Sequence, residues 1–166
     1  SIGRRSSRID GVNIKIMNFK NHNVFELTEI HNKAGKAKRI VFVSGNFNII
    51  HPGHLRLLRF AADCGDFLVV GITGDVSSAV KIPANLRLEA LRAISFVDHA
   101  LSMDEEVKEF IAKLKPAVVV KGKEYENRIN PERDALESYG GTLLFSSGEV
   151  RFSSLDLMQR ELLETN

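Results

Sequence analysis

The chain has 166 residues, 43% of them hydrophobic, which suits one domain with a buried core. No apolar run approaches the ~18–20 residues of a membrane span, no secretory pattern opens the chain, and the single cysteine, Cys64, has no internal disulfide partner; membrane and disulfide-framed classes fall away, and a cytoplasmic setting is expected. The net charge of +2 conceals an asymmetry: residues 1–39 hold nine Lys/Arg against three Asp/Glu, residues 40–166 fourteen against eighteen, so the bulk of the chain offers no broad basic surface and nucleic acid is not an expected partner.

Along the chain, residues 1–16, with Gly3, Arg4, Arg5, Ser6 and Ser7, are expected to form a flexible lead, and Met17 is either a start or an internal residue of a longer enzyme. Residues 17–38 form an N-terminal extension with a short helix over 24–34, carried by Val24, Phe25, Leu27 and Ile30 and ended by Gly35. From 39 to 166 a single domain alternates regularly. Strand-like runs fall at 39–44, 67–72, 97–101, 117–121 and 142–146; helical patterns fall at 53–64, 84–95, 104–114 and 131–139, with a last helix over 153–164. Gly65-Asp66, Lys115-Pro116 and Gly140-Gly141 punctuate them. Strands alternating with helices predict an α/β fold, a three-layer, doubly wound, Rossmann-like parallel sheet. Ligands of such sheets bind beyond the carboxyl ends of the strands, where the strand order reverses.

The first core strand runs into Ser44-Gly45-Asn46-Phe47-Asn48-Ile49-Ile50-His51-Pro52-Gly53-His54. Spaced i and i+3 in the first turn of a helix, His51 and His54 share a face. The free N–H groups and positive dipole end beside them predict a phosphate site with two side-chain donors. Pro52 suits the first helical position, and Gly53 would let a ligand approach the backbone. A zinc pair would need further ligands, and Asp63 and Cys64 lie too far along the same helix; no protein metal site is assigned. Neither G-x-G-x-x-G after a strand nor G-x-x-x-x-G-K-(S/T) occurs, which removes dehydrogenase and P-loop readings. His22, His31 and His99 lack any phosphate-site context, and His99 is expected to border a strand.

The run Gly45–His54 resembles the G-x-F-(D/N)-x-x-H-x-G-H signature of the cytidylyltransferase-like nucleotidyltransferases, which include the glycerol-phosphate cytidylyltransferases and heptose-phosphate adenylyltransferases. Gly45, Phe47, His51, Gly53 and His54 match, and Asn48 stands where most of the phosphosugar branch has Asp. Phe152–Arg160 resembles the family's I-S-(T/S)-(S/T)-x-I-I-x-R segment through Ser153, Ser154 and Arg160, with Leu155 in place of a hydroxyl. Val118–Tyr125 resembles V-K-G-G-D-Y of the heptose-phosphate adenylyltransferases, with Lys123 for Gly and Glu124 for Asp. Lys81 falls in the loop where the family keeps a mobile lysine, and Arg87 matches an arginine that opens a family helix; Asp98 is expected to be structural.

The resemblance spans roughly residues 36–164 and implies NMP transfer from ATP or CTP to a sugar or polyol phosphate with release of pyrophosphate. ADP-heptose-synthase-like adenylyl transfer comes first; CTP with glycerol phosphate or a phosphonate comes second. It implies His51, His54, Lys81 and Arg160 as catalytic groups. Gly45, Asn46, Phe47, Asn48, Gly53, Arg87, Lys121, Gly122, Ser153 and Ser154 would contact nucleotide, Lys81 and Lys123 the acceptor, and Mg²⁺ would arrive with the NTP. A homodimer and a place within a longer enzyme both fit. Two other classes are weighed: a nucleotide-sensing module without turnover, and a class I aminoacyl-tRNA synthetase fragment. The second is disfavoured because the chain lacks K-M-S-K-S and room for an anticodon domain.

Overall fold

The structure is a computed structural model describing residues 23–36, 38–74 and 82–146. A helix over residues 23–34 (α1) precedes β1 (Ile40–Gly45), α2 (Pro52–Asp63), β2 (Phe67–Thr73), α3 (Ala84–Arg92) and β3 (His99–Met103). Then come α4 (Val107–Leu114), β4 (Val118–Gly122), a 3₁₀ turn (Lys123–Tyr125), α5 (Glu132–Glu137) and β5 (Thr142–Ser146). The expected lead over 1–16, Lys81, and the last helix over 153–164 with Ser153, Ser154, Leu155 and Arg160 lie outside the described residues.

All five strands pair in parallel, in the order β3-β2-β1-β4-β5. Side chains alternate across the sheet with period two, and the two faces bury different sets. Ile40, Phe42, Phe67, Val69, Leu101, Met103 and Val119 pack against Ile30 and Ala34 of α1, Phe110, Ile111 and Leu114 of α4, and Leu136 of α5. Val41, Val43, Leu68, Val70, Ile72, Ala100, Val118 and Val120 pack against Leu58 and Ala61 of α2 and Leu91 of α3. A sheet covered on both faces explains why the strands read as continuous apolar runs. Each fully buried Leu, Ile or Phe contributes ~1.5–3 kcal/mol by leaving water.

The third strand begins two residues later than its apolar run. Asp98 is held outside the ladder, its carboxylate accepting from the Leu68 N–H at 2.8 Å while its own N–H donates to the Leu68 carbonyl. His99 opens β3 and is buried, its Nε2 2.5 Å from the Glu26 carboxylate and its Nδ1 3.1 Å from the Lys33 ammonium. That contact, with Ile30 and Ala34 in the core, fastens α1 to the sheet. Because β2 lies on one side of β1 and β4 on the other, the chain reverses direction at the carboxyl ends of β1 and β4, where the cavity opens.

Candidate active site

Past Gly45 the backbone turns through Phe47 at a φ of +48°. This turn buries the Phe47 ring against His54, with ring centroids 5.3 Å apart. A Cβ on Gly45 would stand 3.0 Å from that ring, so a side chain there would push Phe47 out. His51 is the N-cap of α2: its Nδ1 accepts from the Gly53 N–H at 3.0 Å, and the Nδ1 of His54 accepts from the His51 N–H at 3.3 Å. The two histidines thus form a reciprocal capping box, the arrangement more often made by Ser/Thr and Glu/Gln.

This cap changes how the site can hold an anion. Pro52 has no N–H, the Gly53 N–H is taken by the His51 ring, and the N–H groups of His54 and Leu55 bond the His51 carbonyl. The free backbone donors expected from the sequence at this helix end are therefore already engaged. With both Nδ1 atoms accepting, each neutral ring carries its proton on Nε2. Two Nε2–H donors result, on rings whose centroids are 3.9 Å apart. Burial, reinforced by the neighbouring His51, holds the His54 imidazole below the ordinary histidine value of 6.5, with the Ile49 carbonyl and Glu124 opposing it. The neutral form of His54 is thereby favoured, and in that form the ring donates through Nε2. Gly53 has a nearer reason to be glycine than ligand approach, since a Cβ there would lie 2.8 Å from the His51 ring.

A cavity of about 490 Å³ opens beside this cap, within the size range of small-molecule sites. Ser44 to Ile49, His54 and Thr73 line one wall; Val120, Lys121, Gly122, Glu124, Tyr125 and Glu132 line the other. Asn46 is fixed by the Thr73 hydroxyl, which donates to its Oδ1 at 2.6 Å. On the opposite wall, Lys121 Nζ donates to Glu132 Oε1 at 2.7 Å and Asn130 Oδ1 at 2.8 Å, and stands 4.7 Å from the centre of the Tyr125 ring.

Of the residues singled out from sequence, Gly45, Asn46, Phe47, Asn48, His54, Lys121 and Gly122 line the cavity, with His51 and Gly53 at the cap beside it. Arg87 is not among the residues that line it, but it bonds two that are. The residue is 1% exposed, and its guanidinium donates to the carbonyls of Ile82, Asn46 and Thr73 at 2.7–2.9 Å, so it ties the ends of β1 and β2 together. Lys123 is exposed and outside the lining, whereas Lys121 is ion-paired. Nor does Gly122 offer bare backbone: a Cβ there would run into the Glu124 carboxylate. Nothing in the sequence points to Thr73, Asn130 or Glu132, and Tyr125 enters only as the end of the Val118–Tyr125 run. Asn130-Pro131-Glu132 looks in sequence like an ordinary helix start, and no local pattern reveals that it meets Lys121.

The cytidylyltransferase-like family model matches residues 42–144, which take in the cap, the cavity and the central sheet. The chain belongs to the cytidylyltransferase-like family. It is thereby a nucleotidyltransferase by family. It is 32% identical over 151 residues to the bifunctional protein HldE of Pelobacter propionicus, covering 86% of this chain and 31% of that protein. It is 38% identical over 111 residues to the HldE of Campylobacter curvus, covering 62% of this chain and 24% of that protein. The chain therefore spans less than a third of the length of these relatives. In fold it is similar to a lipopolysaccharide core biosynthesis protein from Thermoplasma volcanium, with a TM-score of 0.56 and 22% identity over 66% of this chain and 98% of the other. No helix among the described residues is long and apolar enough to cross a membrane.

Proposed function

We propose that this domain transfers NMP from an NTP, as its magnesium complex, to the phosphate of a small sugar or polyol phosphate and releases pyrophosphate. The reading rests chiefly on the paired Nε2–H donors of His51 and His54 at the mouth of α2. An acceptor phosphate oxygen attacks the α-phosphorus in line; the new P–O bond forms as the bond from the α-phosphorus to the bridging oxygen breaks, and pyrophosphate carries that oxygen away. Charge builds on the non-bridging oxygens, where two preorganised imidazole N–H donors stabilise it by hydrogen bonding. Little covalent work falls to the protein, so a site without a nucleophile suits the reaction.

Among the described residues the cavity offers no group of three metal-ligating side chains; the one such group, Glu26, Glu29 and His99, lies at the start of β3, away from it. Magnesium bound mainly by substrate phosphates and water needs no such cage. Lys81, Arg160, Ser153 and Ser154 are proposed to hold the triphosphate, with Lys81 also meeting the acceptor. The resemblance of Val118–Tyr125 favours ATP with a heptose-phosphate-like acceptor over CTP with glycerol phosphate. Pyrophosphate release, measured across ATP and CTP with a sugar 1-phosphate, glycerol 3-phosphate, a phosphonate and a neutral polyol, tests the proposal. Release with one phosphorylated acceptor and none with the neutral polyol is expected; NTP binding with no release for any pair would replace the enzyme by a sensing module.

A further inference from the structure

Glu132 is the most confined charge in the cavity wall. The residue is 7% exposed and lines the cavity, yet among the described residues only one of its carboxylate oxygens is paired: Oε1 receives Lys121, while Oε2 is buried without a hydrogen-bond partner. Its neighbours are committed. The Asn130 amide donates to the Tyr125 and Arg128 carbonyls at 3.0 Å, and its oxygen accepts from Lys121, so Asn130 cannot turn a donor toward Glu132 without breaking three bonds. Lys121 is divided between Glu132, Asn130 and the Tyr125 ring. A buried acceptor left unmade is unfavourable, and the group that would satisfy it must bring an N–H or O–H.

We infer that Glu132 is the specificity-determining acceptor for the nucleoside of the NTP, taking a ribose hydroxyl or an exocyclic amine on Oε2. The inference rests on the nucleotidyl-transfer reading and sharpens it. Phosphate is unsuited to this wall: Glu124 and Glu132 border it, and the Lys121 charge is already balanced. The acceptor carries a second phosphate and needs a free cation, so its place lies elsewhere along the strand ends. What remains for the β4 side is the uncharged portion of the NTP, with the half-exposed Tyr125 as an apolar flank. A site built around an acceptor for one donor discriminates strongly against a ligand lacking it. Lys121 acts through Glu132, as a positioning residue that fixes the carboxylate's orientation.

Calorimetric titration of the full chain with magnesium complexes tests this, using ATP, 2′-deoxy-ATP, 3′-deoxy-ATP and ITP beside CTP, 2′-deoxy-CTP, 3′-deoxy-CTP and UTP. Glu132→Gln keeps an oxygen for Lys121 but places an N–H where Oε2 accepted. We expect its affinity for the preferred parent nucleotide to fall at least ten-fold. One analogue should bind wild type as weakly as the parent binds Glu132→Gln, and should lose nothing further in that variant. Parent affinity within two-fold of wild type in a folded Glu132→Gln overturns the inference, as does an effect confined to the acceptor KM. Should the variant fail to fold, wild type alone decides: equal affinity for parent and all three analogues overturns it. Unchanged affinity with normal pyrophosphate release removes Glu132 and leaves nucleotidyl transfer standing. Selective binding without release removes turnover and leaves Glu132 standing.

Discussion

On the α2 side of the cavity, the groups that shape the wall fall mostly within residues 44–54 and hold one another through backbone hydrogen bonds two or three residues apart. On the β4 side, Lys121 reaches nine and eleven residues along the chain to Asn130 and Glu132, and the wall is held by a largely buried ion pair. The first wall is a local device: a strand end, a left-handed turn at Phe47 and a helix cap made of imidazoles. The second exists only once α5 has docked beside β4. A local cap presents imidazole donors, whereas the desolvated ion pair leaves one carboxylate oxygen without a partner among the described residues. On the proposed reading, the two walls serve opposite ends of one nucleotide.

Separating the pair should have the largest effect. Lys121→Met leaves the Glu132 carboxylate buried without its cation, and removing one partner of a buried pair costs about 3–5 kcal/mol; Lys121 keeps 17% of its side-chain surface in solvent, which places the expectation at the lower end. Urea unfolding reads it from the midpoint at constant slope. A loss under about 1 kcal/mol would mean that the β4 wall does not depend on this pair.

The α2 wall should fail in catalysis before it fails in stability. His54→Ala is expected to lower turnover by roughly 10²–10³, as for loss of one preorganised donor, with the loss of its half of the cap costing only about 1 kcal/mol. Near-normal turnover in that variant would leave the histidine pair as a cap and nothing more.

Gly53→Ala sharpens the contrast, because its methyl group meets the His51 ring at 2.8 Å and touches nothing on the β4 side. Displacing the cap should cost about 1 kcal/mol and reduce turnover while leaving nucleoside selectivity intact. Altered selectivity among the nucleotide analogues would show that the two walls are coupled.

The smallest effect is in pH. Burial lowers the folded-state value of His54 below 6.5, so the unfolded chain binds this proton more readily than the folded one. The contribution to stability is complete above 6.5 and declines as pH falls from there through the folded value. A proton-detected titration should place the His54 midpoint below 6.5, and His54→Gln should remove this slope from the stability curve. A midpoint above 6.5 would reverse the sign and imply that an anionic partner outweighs burial.

Sequence alone determined the alternation of strands and helices, the parallel sheet and the place of the His51/His54 turn, because each is written in contiguous residues: apolar runs for strands buried on both faces, Pro52 and Gly53 at a helix start, Gly35 after α1. The docking of α1 through Glu26 and His99, the tying of the β1 and β2 ends by Arg87, and the engagement of Lys121 with Glu132 were decided by tertiary structure. An arginine or lysine on a helix or strand end has the same local pattern whether it meets a ligand or a carbonyl. Only the packing of elements distant in sequence fixes which charge is already paired, and hence which polar atom is left for the substrate.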